Sequence, residues 1–261
     1  KKGGNLSMNL YQIYFSPTGG TKKVADIMSK TWNCPKIEID LSNPDIDFSQ
    51  FTFSTDDLCI VSVPCFGGRV PAVSLSRINQ MTGGNAQTII VVTYGNRAYE
   101  DTLIELTNTL KARSFHCIAA IAAVTEHSIM HQFGEGRPNA DDESELIRFT
   151  DRIRKKLEQN CNLKEIQVPG NTSYRVYKGL PLKPKANKKC SKCGLCATNC
   201  PTQAISKANP SSINKSKCIS CMRCTSLCPQ HARNLNKLAL LIASKKMQKV
   251  CATPKSNELF L

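Results

Sequence analysis

The chain has 261 residues, of which 41% are hydrophobic, and it carries a formal net charge of +15 at pH 7. This length predicts two domains, since one domain typically holds about 100–200 residues. The hydrophobic content excludes a disordered chain, and no apolar run approaches the roughly 20 residues of a membrane helix, which excludes a transmembrane protein.

The charge is unevenly distributed along the chain. Residues 1–160 contain 17 Lys and Arg against 18 Asp and Glu, net −1, whereas residues 161–261 contain 18 against 2, net +16. Residues 1–7 lack the apolar segment and the cleavage site of a signal peptide. We therefore expect an extension, or a remnant of an expression vector, ahead of a cytoplasmic protein with a neutral first part and a basic second part.

Five apolar segments in the first part predict β-strands covered on both faces, as parallel strands are. The predicted strands are Leu10–Phe15, Ile37–Leu41, Leu58–Val63, Ile89–Thr93 and Cys117–Ala123. Between them lie segments with apolar residues at helical spacing, such as Leu103, Leu106 and Leu110. Residues 42–57 predict a loop with at most a short helix. Alternating strands and helices predict an α/β domain with a doubly wound parallel sheet.

The loop after the first strand contains hydroxyl and glycine residues immediately before a predicted helix. It consists of Ser16, Pro17, Thr18, Gly19, Gly20 and Thr21. Unpaired N–H groups and the helix dipole at such a turn favour a phosphate group. The alternative is an ordinary helix cap.

Two further loops follow the third and fourth strands. The second loop contains Pro64, Cys65, Phe66, Gly67 and Gly68, and the third contains Tyr94, Gly95, Asn96, Arg97 and Tyr99. In a doubly wound sheet of order 2-1-3-4-5, ligands bind at the carboxyl ends of the strands, between strands 1 and 3. All three loops are therefore expected to meet at one crevice.

These three loops resemble those of flavodoxins. The resemblance implies a sheet of order 2-1-3-4-5 that binds FMN, with the phosphate held by the first loop. It also implies that Phe66 and Tyr99 stack on the isoalloxazine ring, the alternatives being a core aromatic and a helix-packing residue. Cys65 is expected to act as a small packing residue within its loop.

Two polar residues after the fifth predicted strand leave alternatives open. His127 either hydrogen-bonds the flavin or a substrate, or serves as a proton source, or closes hydrogen bonds within its own loop. Arg137 either binds an anion or pairs with a carboxylate in the run from Asp141 to Glu145, and the ion pair is the preferred interpretation.

Eight of the 14 cysteines lie in two runs with the pattern C-x2-C-x2-C-x3-C-P, which begin at Cys190 and Cys218. Zinc is the alternative to iron, but it usually takes two separated C-x2-C pairs. The runs resemble those of bacterial two-cluster ferredoxins, in which the fourth cysteine binds the other [4Fe-4S] cluster. The resemblance implies one cluster held by Cys190, Cys193, Cys196 and Cys228 (the cluster-one cysteines). It implies a second cluster held by Cys200, Cys218, Cys221 and Cys224 (the cluster-two cysteines).

The end of the chain predicts a basic amphipathic helix, with Leu235, Leu238, Leu241 and Ile242 on its apolar face. Docking of that face on the parent domain is the preferred interpretation, and binding to a membrane surface or a partner is the alternative. We expect five segments. They are an extension (1–7), an FMN domain (8–161), a connector (162–187), a ferredoxin domain (188–232) and a basic helix with a tail (233–261).

The whole chain resembles fused flavodoxin–ferredoxin proteins of anaerobes. The resemblance depends on the two cysteine runs and on short sequence segments such as residues 67–71, 94–97, 126–128 and 136–138. This implies an electron-transfer protein that passes electrons between FMN, two [4Fe-4S] clusters and an external partner. The basic second part predicts an acidic redox partner. The alternative function is a flavin-dependent reductase of a quinone, a nitro compound or oxygen. Nucleic-acid binding is not expected, because interleaved aromatic residues and a known binding module are both missing from the sequence.

Overall fold

The computed structural model describes residues 9–159 and 165–261. The predicted extension at residues 1–7 and the predicted boundary at residue 161 lie outside these described residues. The strands of the first domain are Asn9–Tyr14 (β1), Lys36–Asp40 (β2), Asp57–Pro64 (β3), Gln87–Tyr94 (β4) and His116–Val124 (β5). Its helices are Gly20–Lys30 (α1), Ala72–Ile78 (α2), Thr102–Ala112 (α3) and Ala140–Gln159 (α4). All five predicted strands are present. In the segment predicted as a loop, residues 42–56 contain a short 3-10 turn at Phe48–Gln50 and an isolated bridge at Thr52, and Asp57 begins β3.

The strands of the first domain pair in the order β2-β1-β3-β4-β5, and each neighbouring pair is parallel. This is the flavodoxin-type order, whose ligand crevice lies where the connections reverse direction, between β1 and β3. The predicted fold class is therefore confirmed. The apolar strands β3, β4 and β5 are buried almost throughout because helices cover both faces of the sheet.

The core has two layers, one on each face of the sheet. One layer contains apolar side chains of α2 and α3, such as Ile78 and Leu106. The other contains apolar side chains of α1 and α4, such as Met28 and Leu146. The two pairs of helices fix the strand ends, and thereby the loops that follow β1, β3 and β4, along one edge of the sheet.

The remaining part of the chain forms short elements and one longer helix. They are Lys185–Ala186 (β6), Leu195–Thr198 (α5), Arg223–Ser226 (α6), Arg233–Asn234 (β7), Lys237–Cys251 (α7) and Glu258–Phe260 (β8). Strands β6 and β7 form an antiparallel pair beside the cysteine runs. Strand β8 adds to the large sheet as an antiparallel sixth strand next to β5, which the sequence analysis did not predict.

Helix α7 forms where the sequence predicts it, but it packs through a different face. Leu240, Ala243 and Met247 contact a cluster that includes Phe133 of the first domain. Three of the residues predicted to face inward are instead more than half exposed: Leu238 (67%), Leu241 (54%) and Ile242 (51%). The prediction of the docking face was wrong, because α7 has apolar residues on two sides and the cluster around Phe133 takes the other one. Among the helices of the described residues, none has the length and apolarity needed to cross a membrane.

Candidate functional site

The loop between β1 and α1 forms an open turn at a helix N-terminus. Gly19 has φ of +96°, in the left-handed region that favours glycine, and the space beside its Cα is open. The Lys22 N–H donates to Ser16 Oγ at 2.9 Å. The N–H groups of Gly20 and Thr21 have no hydrogen-bond partner within the described part of the chain. Two unpaired donors at the positive end of an 11-residue helix fit one terminal phosphate.

Pro17 in this loop is buried, whereas Thr18 is exposed. The Thr21 and Thr93 hydroxyl oxygens lie 2.8 Å apart, which links the first loop to the end of β4. Gly20 lies beside Thr125, which follows β5. The loop is thus fixed against two neighbouring strand ends rather than suspended in solvent.

The second loop is held by a carboxylate of α3. The Glu105 side chain is 4% exposed. It accepts hydrogen bonds from the Val70 N–H at 2.8 Å and from Arg69 Nε at 2.9 Å. Phe66 contacts Phe15 edge to face, with ring centroids 6.3 Å apart, and remains partly exposed. The Arg69–Glu105 ion pair therefore fixes the loop that carries one of the two aromatic residues predicted to stack on the flavin.

Cys65 joins the second and third loops. Its Sγ accepts the Gly68 N–H at 3.2 Å and lies 3.6 Å from the Ala98 carbonyl oxygen. Burial raises the pKa of the Cys65 thiol, so the group stays protonated at neutral pH. These contacts agree with a packing role for Cys65 rather than a reactive one.

The segment after residue 165 covers the second and third loops, a feature that the sequence did not reveal. The N–H groups of Asn171 and Arg175 donate to Asp101 at 2.9 and 2.7 Å. The Tyr177 ring lies so close to Gly67 that a Cβ there would be 2.4 Å from it, which explains why this position is glycine. The connector thus packs against the second loop and against the start of α3.

The third loop is bound by the end of the chain. The Asn96 side chain donates to the Cys251 carbonyl oxygen at 2.6 Å and accepts the Lys255 N–H at 2.9 Å. The Tyr99 hydroxyl donates to Glu258 at 3.1 Å.

The remaining side chains of this loop also have protein partners. The Tyr99 ring lies edge to face against Tyr94, with centroids 5.3 Å apart, and the Tyr94 hydroxyl donates to the Ser256 carbonyl oxygen at 3.2 Å. Arg97 pairs with Glu100 at 2.6 Å, and Gly95 lies against the His127 ring. Asn96, Arg97 and Tyr99 are therefore engaged by protein groups, and Tyr99 keeps part of its ring exposed.

His127 closes hydrogen bonds within its own loop, one of the two alternatives that the sequence left open. Its Nδ1 accepts the N–H groups of Ile129 at 3.1 Å and Met130 at 3.2 Å. Burial lowers the pKa of His127 to about 4, and the positive charges of His131 and Arg97 add to the effect. The imidazole is therefore neutral at pH 7. Arg137 pairs with Asp142, as predicted.

The depressed pKa of His127 predicts acid sensitivity. The unfolded chain takes up this proton near pH 6.5 and the folded chain only near pH 4, so stability is lost as the pH falls through this window. Between pH 7 and pH 5 we expect a loss of about 2 kcal/mol from this group. His127→Asn keeps an acceptor but does not titrate, so urea unfolding of the full chain should show a flatter pH dependence for this variant. If the free energy of unfolding depended on pH equally in both proteins, the depressed pKa of His127 would be contradicted.

The eight clustered cysteines line two cavities. One cavity has an empty volume of about 310 Å³, and its walls include the cluster-two cysteines Cys200, Cys218, Cys221 and Cys224. The other has an empty volume of about 340 Å³, and its walls include the cluster-one cysteines Cys190, Cys193, Cys196 and Cys228. Each cavity is thus lined by the four cysteines that the resemblance to two-cluster ferredoxins implies for one cluster.

Each cavity is lined by four cysteine thiols, a donor type that both zinc and iron–sulfur clusters take. Zinc holds its thiolates at about 2.3 Å, so four ligands must converge on one point. Among the described residues, no group of three or more His, Cys, Asp or Glu side chains is arranged to hold a metal ion. Burial raises the pKa of Cys221 and Cys224 to about 12, so binding of iron there must displace protons.

The cluster-two cavity lies against the first domain. Arg223, which stands between Cys221 and Cys224 in the sequence, donates to the Ser16 carbonyl oxygen at 3.4 Å and lies 3.6 Å from Asp40. Met222 packs in the cluster of buried residues around Phe133.

A second contact joins the same cavity to α2. Arg77 is 8% exposed and donates to the Pro201 carbonyl oxygen at 2.8 Å, directly after Cys200. Ile219 packs against the apolar core of the first domain. Together with the Arg223–Ser16 contact, these contacts place the cluster-two cavity against the first loop and α2.

The cluster-one cavity faces outward. Cys193 is exposed, and the neighbouring Leu195 is 41% exposed. Lys188, Lys189 and Lys192 beside this cavity are also exposed. The cluster-one set thus includes an exposed cysteine, whereas Cys200 and Cys221 of the cluster-two set are buried.

Comparison with known protein families identifies the type of the second domain. Residues 186–234 match the model of the 4Fe-4S dicluster domain. A search of curated proteins finds no match.

Solved structures resemble the first domain. A rubredoxin oxygen:oxidoreductase from the anaerobe Desulfovibrio gigas is 15% identical, over 57% of this chain and 36% of that chain, with a TM-score of 0.43. A flavodoxin from Streptococcus pneumoniae TIGR4 is 14% identical, over 57% of this chain and 99% of that chain, with a TM-score of 0.42. A flavodoxin from the domain Archaea is 13% identical, over 58% of this chain and 100% of that chain, with a TM-score of 0.41.

The chain therefore joins two parts of different class. Its strand order and register define a flavodoxin-like parallel α/β domain, and residues 186–234 match a 4Fe-4S dicluster domain. This confirms the combination that the sequence resemblance implied, a flavodoxin-like domain fused to a ferredoxin-like one. The match of the second part indicates an iron–sulfur domain.

Proposed function

We propose that this protein is a cytoplasmic electron carrier that passes electrons between FMN in its first domain, two [4Fe-4S] clusters in its second domain and an external redox partner. The observation that carries the proposal is the position of the cluster-two cavity. It lies against the first loop, between β1 and α1, through the contact of Arg223 with Ser16. A carrier needs such proximity between its redox sites, whereas two unconnected binding modules do not.

The first domain would hold FMN through the residues of its three loops. The N–H groups of Gly20 and Thr21 would bind the phosphate, and the loop geometry around Gly19 leaves room for it. Phe66 and Tyr99 would contact the ring. When bound, FMN supplies the exchange between two-electron and one-electron chemistry.

The two cysteine sets would hold the clusters in a fixed order. The cluster-two cysteines would bind the proximal cluster, because Arg223 and the Arg77–Pro201 contact attach them to the first domain. The cluster-one cysteines would bind the distal cluster, which lies beside exposed lysines. Electrons would then pass between the first domain and the partner by way of the proximal and distal clusters.

Flavin binding tests the first half of this proposal. If the Tyr99 ring stacks on the flavin, Tyr99→Ala should weaken FMN binding by about 1–3 kcal/mol, the range for stacking of a base on an aromatic ring. Flavin released by acid should co-migrate with FMN. Fluorescence titration of the flavin-depleted protein measures the affinity.

Tyr99→Phe is the matched control, because it keeps the ring and removes only the hydroxyl that donates to Glu258. It should bind FMN nearly as well as the unaltered protein. Equal weakening in Tyr99→Phe and Tyr99→Ala would show that the Glu258 contact, and not ring stacking, supports the site.

Partner docking predicts a dependence on ionic strength. An acidic donor should be steered to the basic surface, and salt shortens the Debye length from about 30 Å at 0.01 M to about 10 Å at 0.1 M. Reduction by such a donor in stopped flow should therefore slow as salt increases. Changing Lys188, Lys189 and Lys192 to Glu should flatten this dependence.

The matched control reverses three exposed lysines of α7. They are Lys245, Lys246 and Lys249. This variant has the same net charge as the first one, so it should keep most of the salt dependence if docking occurs beside the cluster-one cavity. An equal response of both variants would indicate that only the total charge matters. Saturable turnover of a quinone without any protein donor would favour the reductase function instead.

A further inference from the structure

Arg233 is the largest of the fully buried side chains and lies directly beside the cluster-one cysteines. It is 2% exposed and forms part of the wall of the cluster-one cavity. Its Nε donates to Cys196 Sγ at 3.4 Å, and its Nη2 donates to the carbonyl oxygens of Ser212, at 3.1 Å, and Pro210. Its Nη1 is buried and has no hydrogen-bond partner in the described part of the chain.

The charge of Arg233 is also uncompensated by protein. Within residues 9–159 and 165–261 it forms no ion pair with a carboxylate. An unpaired buried charge is strongly destabilising, so a buried guanidinium normally has a negative partner. The groups around Arg233 that can carry negative charge are the cysteine sulfurs of the cavity.

The repeat within the second domain shows that the backbone does not require arginine here. The two cysteine runs are 28 residues apart, so Arg233 corresponds to Ile205. Equivalent backbone contacts confirm the correspondence. The Ala204 N–H lies 3.3 Å from Cys200 Sγ, and the Ala232 N–H lies 3.3 Å from Cys228 Sγ. An apolar residue fills this position in one half of the domain and a cation fills it in the other.

We propose that Arg233 is the counter-charge of the distal cluster and makes that cluster easier to reduce. This inference rests on the proposed function, because it requires a cluster bound by the cluster-one cysteines. Reduction adds one electron and changes the charge of a cluster with four thiolates from about −2 to about −3. A fixed positive charge in a dry environment favours the more negative state. Removal of that charge must therefore lower the reduction potential.

The cations near the cluster-two cavity make different contacts. Arg223 lies 3.6 Å from the Asp40 carboxylate, which offsets its charge. Lys183 Nζ donates to the Cys218 carbonyl oxygen at 2.6 Å, and not to a sulfur. Among the charged side chains of the described residues, Arg233 is the one that donates a hydrogen bond to a cysteine sulfur of either set. Its effect should therefore fall on one cluster.

An EPR-monitored redox titration of the loaded protein tests this inference, with Arg233→Gln as the main variant. Glutamine removes the charge but can still donate to a neighbouring carbonyl oxygen. One of the two cluster potentials should fall by at least the equivalent of a tenfold change in its reduction equilibrium, about 59 mV for a one-electron couple. The other potential should move less.

Lys192→Gln is the matched control. It removes the same charge from the loop between Cys190 and Cys193, but Lys192 is exposed to solvent. Its effect should be smaller than tenfold and should diminish in high salt, whereas the effect of Arg233→Gln should persist because salt does not screen a buried charge well. Equal shifts for the two variants would overturn the proposal.

Iron analysis separates the failure of this inference from the failure of the proposed function. An unaltered protein without about eight irons would contradict the proposed function itself. Full iron content with unchanged potentials in Arg233→Gln would overturn only the role of Arg233. If Arg233→Gln does not load its distal cluster, Arg233→Lys decides the matter. If Arg233→Lys binds the distal cluster with a nearly unchanged potential, the proposed role of the positive charge is supported. If Arg233→Lys also fails to bind this cluster, the proposal is overturned.

Discussion

Replacing Cys221 and Cys224 with alanine is expected to halve the iron content, from about eight to about four irons per chain. Both thiols line the cluster-two cavity, which lies next to the first loop. The variant should therefore lose the proximal cluster and retain the distal one. Electron transfer from the flavin to the remaining cluster should then become much slower, because the intermediate site is gone. Iron analysis and flash photolysis of the anaerobic protein measure the two effects.

Replacing Cys190 and Cys193 with alanine is the matched experiment. It should also leave about four irons, but on the proximal side. Transfer from the flavin to the cluster should remain fast, whereas exchange with the external partner should be lost. If the two double variants showed the same rates of transfer from the flavin and of exchange with the partner, the proposed order of the clusters would be wrong.

Glu105→Gln is expected to destabilise the first domain by about 3 kcal/mol, the lower end of the range for breaking a buried ion pair. The lower end applies because Arg69 is 25% exposed and can be hydrated in part after the change. The variant should also bind FMN more weakly, since Glu105 fixes the loop that contains Phe66 through the Val70 N–H. Urea unfolding of the full chain, followed by circular dichroism under anaerobic conditions, measures the loss.

Asp151→Asn provides the control for Glu105. Asp151 pairs with Arg154 on α4, and the two side chains are 41% and 40% exposed. Loss of such a surface pair changes the free energy of unfolding by about 0–1 kcal/mol. A similar loss in both variants would mean that the Arg69–Glu105 pair has no special role in holding the second loop.

Much of the fold follows from local sequence pattern. Strands such as β3 and β5 are apolar over their whole length, because helices cover both faces of the sheet. The two cysteine runs are likewise visible in the sequence, and three cysteines of each run lie within one short loop. The exchange of the fourth cysteine between the two sets follows only from the resemblance to two-cluster ferredoxins.

Features that depend on contacts between distant segments could not be predicted. Strand β8 has only three residues, which is too short to show the alternation of apolar and polar residues that indicates a strand. The docking face of α7 depends on the apolar cluster around Phe133, which forms only in the folded chain. The same holds for Tyr177 on the second loop and for the burial of Arg233. In the sequence, Arg233 is one cation among many in a basic region.

Reductive titration of the anaerobically prepared protein, with analysis of its iron, sulfide and flavin, tests the central claim most directly. The proposed function predicts one FMN and about eight irons with matching acid-labile sulfide, together with uptake of about four electrons per chain. Two of these electrons belong to the flavin and one to each cluster. Near-stoichiometric zinc without labile sulfide, or uptake of electrons by the flavin alone, would contradict it.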